Sequence, residues 1–279
     1  MENNVYENLR KAQLHCVGIL EDIDAICREN NINYSLNAGT VIGWHLYGGF
    51  VPWDDDIDLM MTRDNYEKFL SVCKTKLPKK YELRNFENGK DKRNLFSKIV
   101  DTQTTYIDCV PDCNNVITGV YIDISVFDKY PKNNVRRFFY KMLIKLLYLC
   151  VSRGKIKTQN VKEFFREFLR KVLKPFSKKI YIIINNIFSQ YSPEEYDYAE
   201  VIFGLTNVFP REIFESYKDV LFEGKKAMIV EDYMGYLESR YGRREFYKEQ
   251  RDGDAPPHLL YVDCETPYSE YKGEFRKSI

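Results

Sequence analysis

Tryptophan, proline and glycine are scarce in this chain: 2, 10 and 14 residues among 279. So few breakers exclude a collagen-like or low-complexity chain and leave room for long regular elements. An unbroken apolar run of about 18 residues, the least that would span a bilayer as a helix, is also missing. The nearest approaches are Met142–Val151 and Ile180–Ile184. The opening Met1-Glu2-Asn3-Asn4 has neither the basic nor the apolar stretch of an export signal, so a cytoplasmic chain is expected. The 7 cysteines, at positions 16, 27, 73, 109, 113, 150 and 264, are odd in number and irregular in spacing. That argues against a disulfide framework and for a reducing compartment. Cys109 and Cys113 could belong to a zinc site, but they have no second half in the sequence.

Apolar residues make up 44% of the chain and charged residues 30%, a globular balance. The 22 Tyr and 18 Phe are a large aromatic share, and Tyr serves wet boundaries as readily as interiors. The length suits about two domains, or one with a generous insertion.

A formal net charge of +1 conceals a polarised molecule. Between Pro131 and Ile180 stand 15 Lys or Arg against Glu163 and Glu167 alone, a net of +13, so the remainder carries −12. Three regions follow: 1–130, a basic segment 131–190, and an acidic 191–279.

Apolar periodicity predicts a helix over Tyr6–Glu29, a short strand Ile32–Leu36, a Gly39-Thr40 junction into Val41–His45, and a strand Ile57–Met61. A helix from Asp64 to Cys73 follows, capped by Thr62 or Asp64. Further strands are expected at Tyr81–Arg84, Ser97–Val100, Thr105–Cys109 and Gly119–Phe127. The class is α+β, a mixed sheet flanked by helices. In the basic segment, Val135–Val151 and Val161–Leu173 carry apolar residues at helical spacing among Lys and Arg. Ordinary surface helices, helices resting on anionic lipid, and a nucleic-acid face all share that pattern. No nucleic-acid module appears elsewhere in the chain, so no nucleic-acid partner is expected.

Four carboxylates, Asp54, Asp55, Asp56 and Asp58, fall within five positions. In an extended chain Asp56 and Asp58 share a face while Ile57 and Leu59 enter the core. Adjacent carboxylates on one face repel unless a cation lies between them, and hard oxygen ligands suit Mg²⁺ or Mn²⁺. Asp54 and Asp55 also read as an acidic turn meeting water. Asp123, with Ile122 and Ile124 on either side, is the candidate third ligand from a second strand. Gly39 and Thr40 offer a phosphate a close backbone approach and a hydroxyl, with a plain turn as the alternative. Lys98 is the cation best placed to offset phosphate charge. Arg63 could do the same or pair with Asp64 or Asp56.

These residues resemble the LicD family, the phosphocholine transferases related to fukutin and fukutin-related protein. The resemblance rests on Gly39-Thr40, Gly43, and Gly49-Phe50-Val51-Pro52-Trp53-Asp54-Asp55-Asp56-Ile57-Asp58. It continues through Arg63-Asp64-Asn65-Tyr66 with Phe69, Phe96-Ser97-Lys98-Ile99, Tyr121-Ile122-Asp123-Ile124 and Phe222-Glu223-Gly224. Tyr233, Tyr236-Leu237, Tyr241-Gly242 and Pro256-Pro257 complete it. Leu46 and Val100 stand where the family usually has Arg.

The resemblance implies a nucleotidyltransferase fold interrupted by a basic helical insertion. It implies catalytic, metal-binding roles for Asp56, Asp58 and Asp123, with Gly39, Thr40, Arg63, Lys98 and Glu223 around the donor. The implied reaction moves phosphocholine, or a similar phospho-substituent, from a CDP-linked donor such as CDP-choline to a sugar hydroxyl of a glycan or lipid-linked acceptor. Such chemistry belongs to cell-surface polysaccharide, lipopolysaccharide or teichoic acid synthesis, with Mg²⁺ or Mn²⁺ as cofactor; peripheral contact with the inner face of an anionic membrane is an expectation from the basic segment's own pattern. Two alternatives stay open: a nucleotidyltransferase moving a nucleoside monophosphate to a small acceptor or RNA, and a non-catalytic glycan-binding protein with a degenerate site.

Overall fold

The computed structural model describes residues 2–91, 95–108, 116–151, 161–188, 192–202, 205–242 and 259–273. The helix α1 (Glu2–Glu29) is longer than its periodicity predicts. Its core face, with Leu9, Ala12, Cys16, Ile19, Leu20, Ile23 and Cys27, is buried. Next come β1 (Ser35–Leu36), α2 (Ala38–Tyr47), β2 (Asp58–Thr62) and α3 (Arg63–Lys76). The strand expected over Ile32–Leu36 shrinks to two residues. Thr62 precedes α3 in the cap position, but its hydroxyl accepts from the Asn65 side chain at 3.0 Å and makes no cap bond to the backbone.

Strands β3 (Tyr81–Arg84), β4 (Ser97–Asp101), β5 (Thr105–Asp108), β6 (Val116–Thr118) and β7 (Tyr121–Pro131) follow. The insertion holds α4 (Asn134–Val151), α5 (Val161–Leu173) and α6 (Ser177–Phe188). The chain then returns through β8 (Tyr196–Ile202), β9 (Leu205–Phe209), the pair β10 (Tyr217–Phe222) and β11 (Lys225–Val230), α7 (Tyr233–Tyr241) and β12 (Leu259–Asp263). Cys109, Cys113 and Pro256-Pro257 lie outside the described residues.

The main sheet runs β1-β2-β7-β4-β3, with β8 and β9 added beside β7. The long β7 organises it: β4 pairs antiparallel with its first half and β8 with its second. On β7, β2 lies parallel, with Asp58 level with Asp123 and Thr62 level with Phe127. Counting one residue further along each chain brings Arg63 to Asp128. The β10-β11 hairpin turns at Glu223 (φ 52°) and Gly224 (φ 75°), a left-handed pair of the type I′ kind. A three-stranded sheet β12-β5-β6 joins the far end of the chain to its middle.

A principal core lies between the sheet and α1, α3 and α7, and a second forms where Tyr140, Ile144, Leu147, Tyr181 and Ile184 of the insertion meet Tyr130 and Ala199. The two are stitched by Arg63, 4% exposed, whose guanidinium donates to both Asp128 oxygens at 2.6 and 3.0 Å and lies over Tyr66 and Tyr181. No helix among the described residues is long and apolar enough to cross a membrane.

His15 ties α1 to the end of β4 through Asp101 Oδ2 at 3.0 Å, and that bond, followed by Cys264, raises the imidazole pKa from 6.5 to about 9. A raised folded-state pKa stabilises the fold fully below about pH 6.5 and less as pH climbs through about 9. Urea unfolding of wild type and His15→Ala, compared at pH 6 and pH 9.5, should give a stability difference that is large at the lower pH and small at the higher. A difference unchanged across that range would exclude the assigned ion pair.

Candidate active site

Register alone assembles the centre. Asp58 on β2 is level with Asp123 on β7, and Asp123 is level with Lys98 on β4. Residues level across neighbouring strands share a face, so the three side chains form a row while Ile57, Leu59, Ile122, Ile124 and Ile99 fill the core behind them at 0% exposure. Asp56 comes just before β2, and the Asp123 N–H donates to the Ile57 carbonyl at 2.9 Å, fixing the approach. Carboxylate oxygens of Asp56, Asp58 and Asp123 all lie within 4.8 Å of one another. Lys98 Nζ is 2.8 Å from Asp123 Oδ1 and 3.4 Å from the centre of the Tyr121 ring.

The donor set suits a hard divalent cation: three partly buried carboxylates and no sulfur or nitrogen ligand among the grouped residues. Burial, and then the neighbouring carboxylates, raises Asp58 to about 8 and pushes Asp56 well above the ordinary carboxylate range. A cation reverses both effects, because it favours the charged form. Mn²⁺ affinity should therefore increase as pH rises toward 8, and binding below that pH should release protons. Calorimetric titration in two buffers of different ionisation enthalpy reads that release, and equal heats in both would count against the carboxylate site.

Helix α2 begins one bond from this row. The Asn37 N–H donates to the Asp58 carbonyl at 2.9 Å, and the Asp58 N–H donates to Thr40 Oγ1 at 2.9 Å. Thr40 thus locks α2 to β2 and keeps its own proton for another acceptor. The first-turn N–H groups of Gly39 and Thr40 have no intrahelical partner. A Cβ on Gly39 would come 2.9 Å from Asp54 Oδ2, so glycine admits the Asp54 carboxylate against the helix start. Ala38 takes a left-handed φ of 45°, held by the Tyr236 hydroxyl, which accepts from its N–H at 3.0 Å.

The two remaining aspartates of the motif separate in role. Asp55 is 4% exposed, and one of its oxygens accepts from Tyr106 Oη and from the Leu259 N–H, each at 2.7 Å. It is a tie between three segments, not the solvated turn its position suggests. Asp54 lies with Asp55 and Asp56 in a second group of carboxylates.

Arg63 is not brought to the row. It is paired with Asp128, five residues beyond Asp123 on β7, and Asp64 meets Lys129 instead. Glu223 also stands apart: its carboxylate accepts from Phe50 N at 3.2 Å and from Arg10 at 2.7 Å, and its N–H donates to the Gly48 carbonyl. It supports the turn that leads into the aspartates.

Arg240 and Glu200, unmarked by any sequence motif, prove central. Buried Glu200 pairs with Arg240, accepts from Asn37 Nδ2 at 3.3 Å, and so joins β8 and α7 to the start of α2. The Tyr236 hydroxyl donates to Asn37 Oδ1. The positive charge of Arg240 bears on Asp58 and partly offsets its raised pKa. No local signal could mark this pair, since its members are 40 residues apart and meet only through the sheet. A cavity of about 600 Å³ beside α3 and β3 contains none of the cluster.

A family model described as LicD/FKTN/FKRP, nucleotidyltransferase domain, matches residues 31–152. Those residues form a LicD-family nucleotidyltransferase-like domain. The LicD match contains Gly39, Thr40, Asp56, Asp58, Arg63, Lys98 and Asp123, and it runs through α4. The lipopolysaccharide cholinephosphotransferase LicD of Haemophilus influenzae is 26% identical over 266 residues, covering 90% of this chain and 96% of that protein. Similarity to a LicD protein therefore extends past the insertion into the part that supplies Glu200, Glu223 and Arg240.

Proposed function

We propose that this LicD-family chain is a metal-dependent phosphotransferase that moves phosphocholine, or a similar phospho-substituent, from a CDP-linked donor to a sugar hydroxyl of a glycan or glycolipid. The observation that carries this reading is the row Asp58–Asp123–Lys98 with Asp56 beside it. The name of the Haemophilus influenzae relative supplies the transferred group, cholinephosphate, and the CDP-linked donor is what the family resemblance implies.

Asp56, Asp58 and Asp123 would hold Mg²⁺ or Mn²⁺, which supplies charge neutralisation for the donor's diphosphate. Phosphoryl transfer needs little from the protein beyond position and electrostatics. The acceptor oxygen attacks the phosphorus that bears the substituent, and the bond to the bridging oxygen breaks. The electron pair leaves on CMP, and the hydroxyl proton passes to Asp123. Lys98 holds Asp123 in place and presents its charge to the phosphates. Gly39 and Thr40 offer N–H groups and a hydroxyl to the same oxygens.

The test is a panel of CDP-linked donors incubated with candidate sugar acceptors in Mg²⁺ and then in EDTA. CMP release together with a modified sugar, abolished by EDTA, is the expected result. Nucleotide attached to the acceptor would replace this reading with a nucleotidyltransferase, and neither product with any donor would favour a binding protein.

A further inference from the structure

Helix α4 has two apolar stripes. Tyr140, Ile144, Leu147 and Val151 face the second core, while Val135, Phe138, Phe139 and Met142 are 48–66% exposed. At 3.6 residues per turn the exposed stripe lies roughly opposite the buried one. One stripe suffices for packing, so the second has no use inside the fold.

Helix α5 goes further. Phe164, Phe165 and Phe168 are 65%, 63% and 56% exposed, and no residue of α5 with a described side chain is buried. Helix α6 buries Tyr181 and Ile184 yet exposes Ile182, Ile183 and Ile187. Large apolar patches on a folded surface mark an interaction site. Around them stand exposed Lys141, Lys145, Lys171, Lys174, Lys178 and Lys179. Of the two acidic residues in the segment, Glu167 is already engaged by Arg170 at 2.6 and 2.8 Å.

Charge decides what fits. A two-fold pairing of this face with its own copy would set these exposed lysines against lysines. Lysine is also depleted from the centres of protein interfaces. Phenylalanine at the centre with lysine at the rim is the pattern of a helix lying in the headgroup layer of an anionic bilayer, where each basic residue adds about 1 kcal/mol.

We propose that the exposed faces of α4, α5 and α6 form a docking surface for an anionic lipid bilayer, with the phenylalanines entering the acyl boundary and the lysines meeting the headgroups. This goes beyond the proposed reaction and does not depend on which donor the site takes. The surface is also separate from the chemistry: Asp123 lies near the start of β7, and α4 follows its end, roughly 26 Å along an extended strand.

The full chain is sedimented with vesicles of phosphatidylcholine alone and with vesicles containing about one-third phosphatidylglycerol. The expected result is at least ~10-fold stronger partition onto the anionic vesicles, lost in high salt. Phe164→Ser with Phe165→Ser, both exposed and outside any core, should lower that partition at least ~10-fold with an unchanged thermal midpoint. A separate charge variant, Lys178→Glu with Lys179→Glu, should do the same. Equal partition onto both vesicles, or none, overturns the proposal. So does a dimer in sedimentation equilibrium that the Phe variants dissolve without vesicle binding, or retention on RNA in place of vesicles. None of these readouts involves CMP release, so failure here and failure of the transferase reading are told apart.

Discussion

Replacing Asp58 with alanine should lower turnover at least ~100-fold while leaving the fold as stable as before, or more stable. The loss follows from removing one of three oxygen ligands: an interaction worth about 2.7 kcal/mol in the transition state corresponds to a factor of about 100. Stability moves the other way because Asp58 is kept in a site that disfavours its charge. Burial and the nearby Asp123 and Asp54 raise its pKa to about 8, so the ion-free fold is relieved when it is removed. Asp56→Ala should behave alike, since its charge is opposed by burial and by Asp58. The measurements are initial rates of CMP release with Mg²⁺ and thermal midpoints in EDTA. Near-normal rates in either variant would refute the metal assignment. A sharp fall in the EDTA midpoint would show that these carboxylates stabilise the fold, contrary to the electrostatics of the cluster.

Gly43→Ala should be the most damaging small substitution in the motif, costing about 3 kcal/mol and lowering the thermal midpoint by roughly 6–12 °C. A Cβ at this place in α2 would come 2.5 Å from the Gly49 carbonyl oxygen and 2.6 Å from the Val51 nitrogen. Both obstacles are backbone, so no rotamer change relieves them. The displaced segment, Gly49 to Val51, leads directly to Asp54–Asp58, and activity should fall with stability. Gly18→Ala in α1 is the control. Nothing lies within 4 Å of its Cβ position, and a helical alanine in place of glycine should gain about 0.5–1 kcal/mol. If both alanine variants shifted the midpoint equally, the close approach of α2 to that segment would be wrong.

Strand β2 and its partner β7 were readable because their signals are local. Alternation around Asp58 and isoleucines on both sides of Asp123 state which way each carboxylate points, and register does the rest. Helix α5 matches its predicted span, Val161–Leu173, since one apolar stripe in a basic background fixes its phase. Arg63 shows where local reading stops. In sequence it stands five residues from Asp58, but strand β2 carries it away from the cluster, and the parallel register delivers it to Asp128. Asp55 looks like its neighbours in sequence and differs from them only through Tyr106 and Leu259, one 51 and the other 204 residues away. Glu200 and Arg240 were invisible for the same reason: a buried ion pair across distant elements has no periodicity to betray it.

The bond from Leu259 to Asp55 has a consequence for biosynthesis. Until residue 259 emerges from the ribosome, the buried Asp55 carboxylate has Tyr106 as a donor but not Leu259, and the segment carrying Asp56 and Asp58 is tethered on one side fewer. A nascent chain holding every residue of the aspartate motif still lacks this tether, which forms late in translation, when β12 pairs with β5.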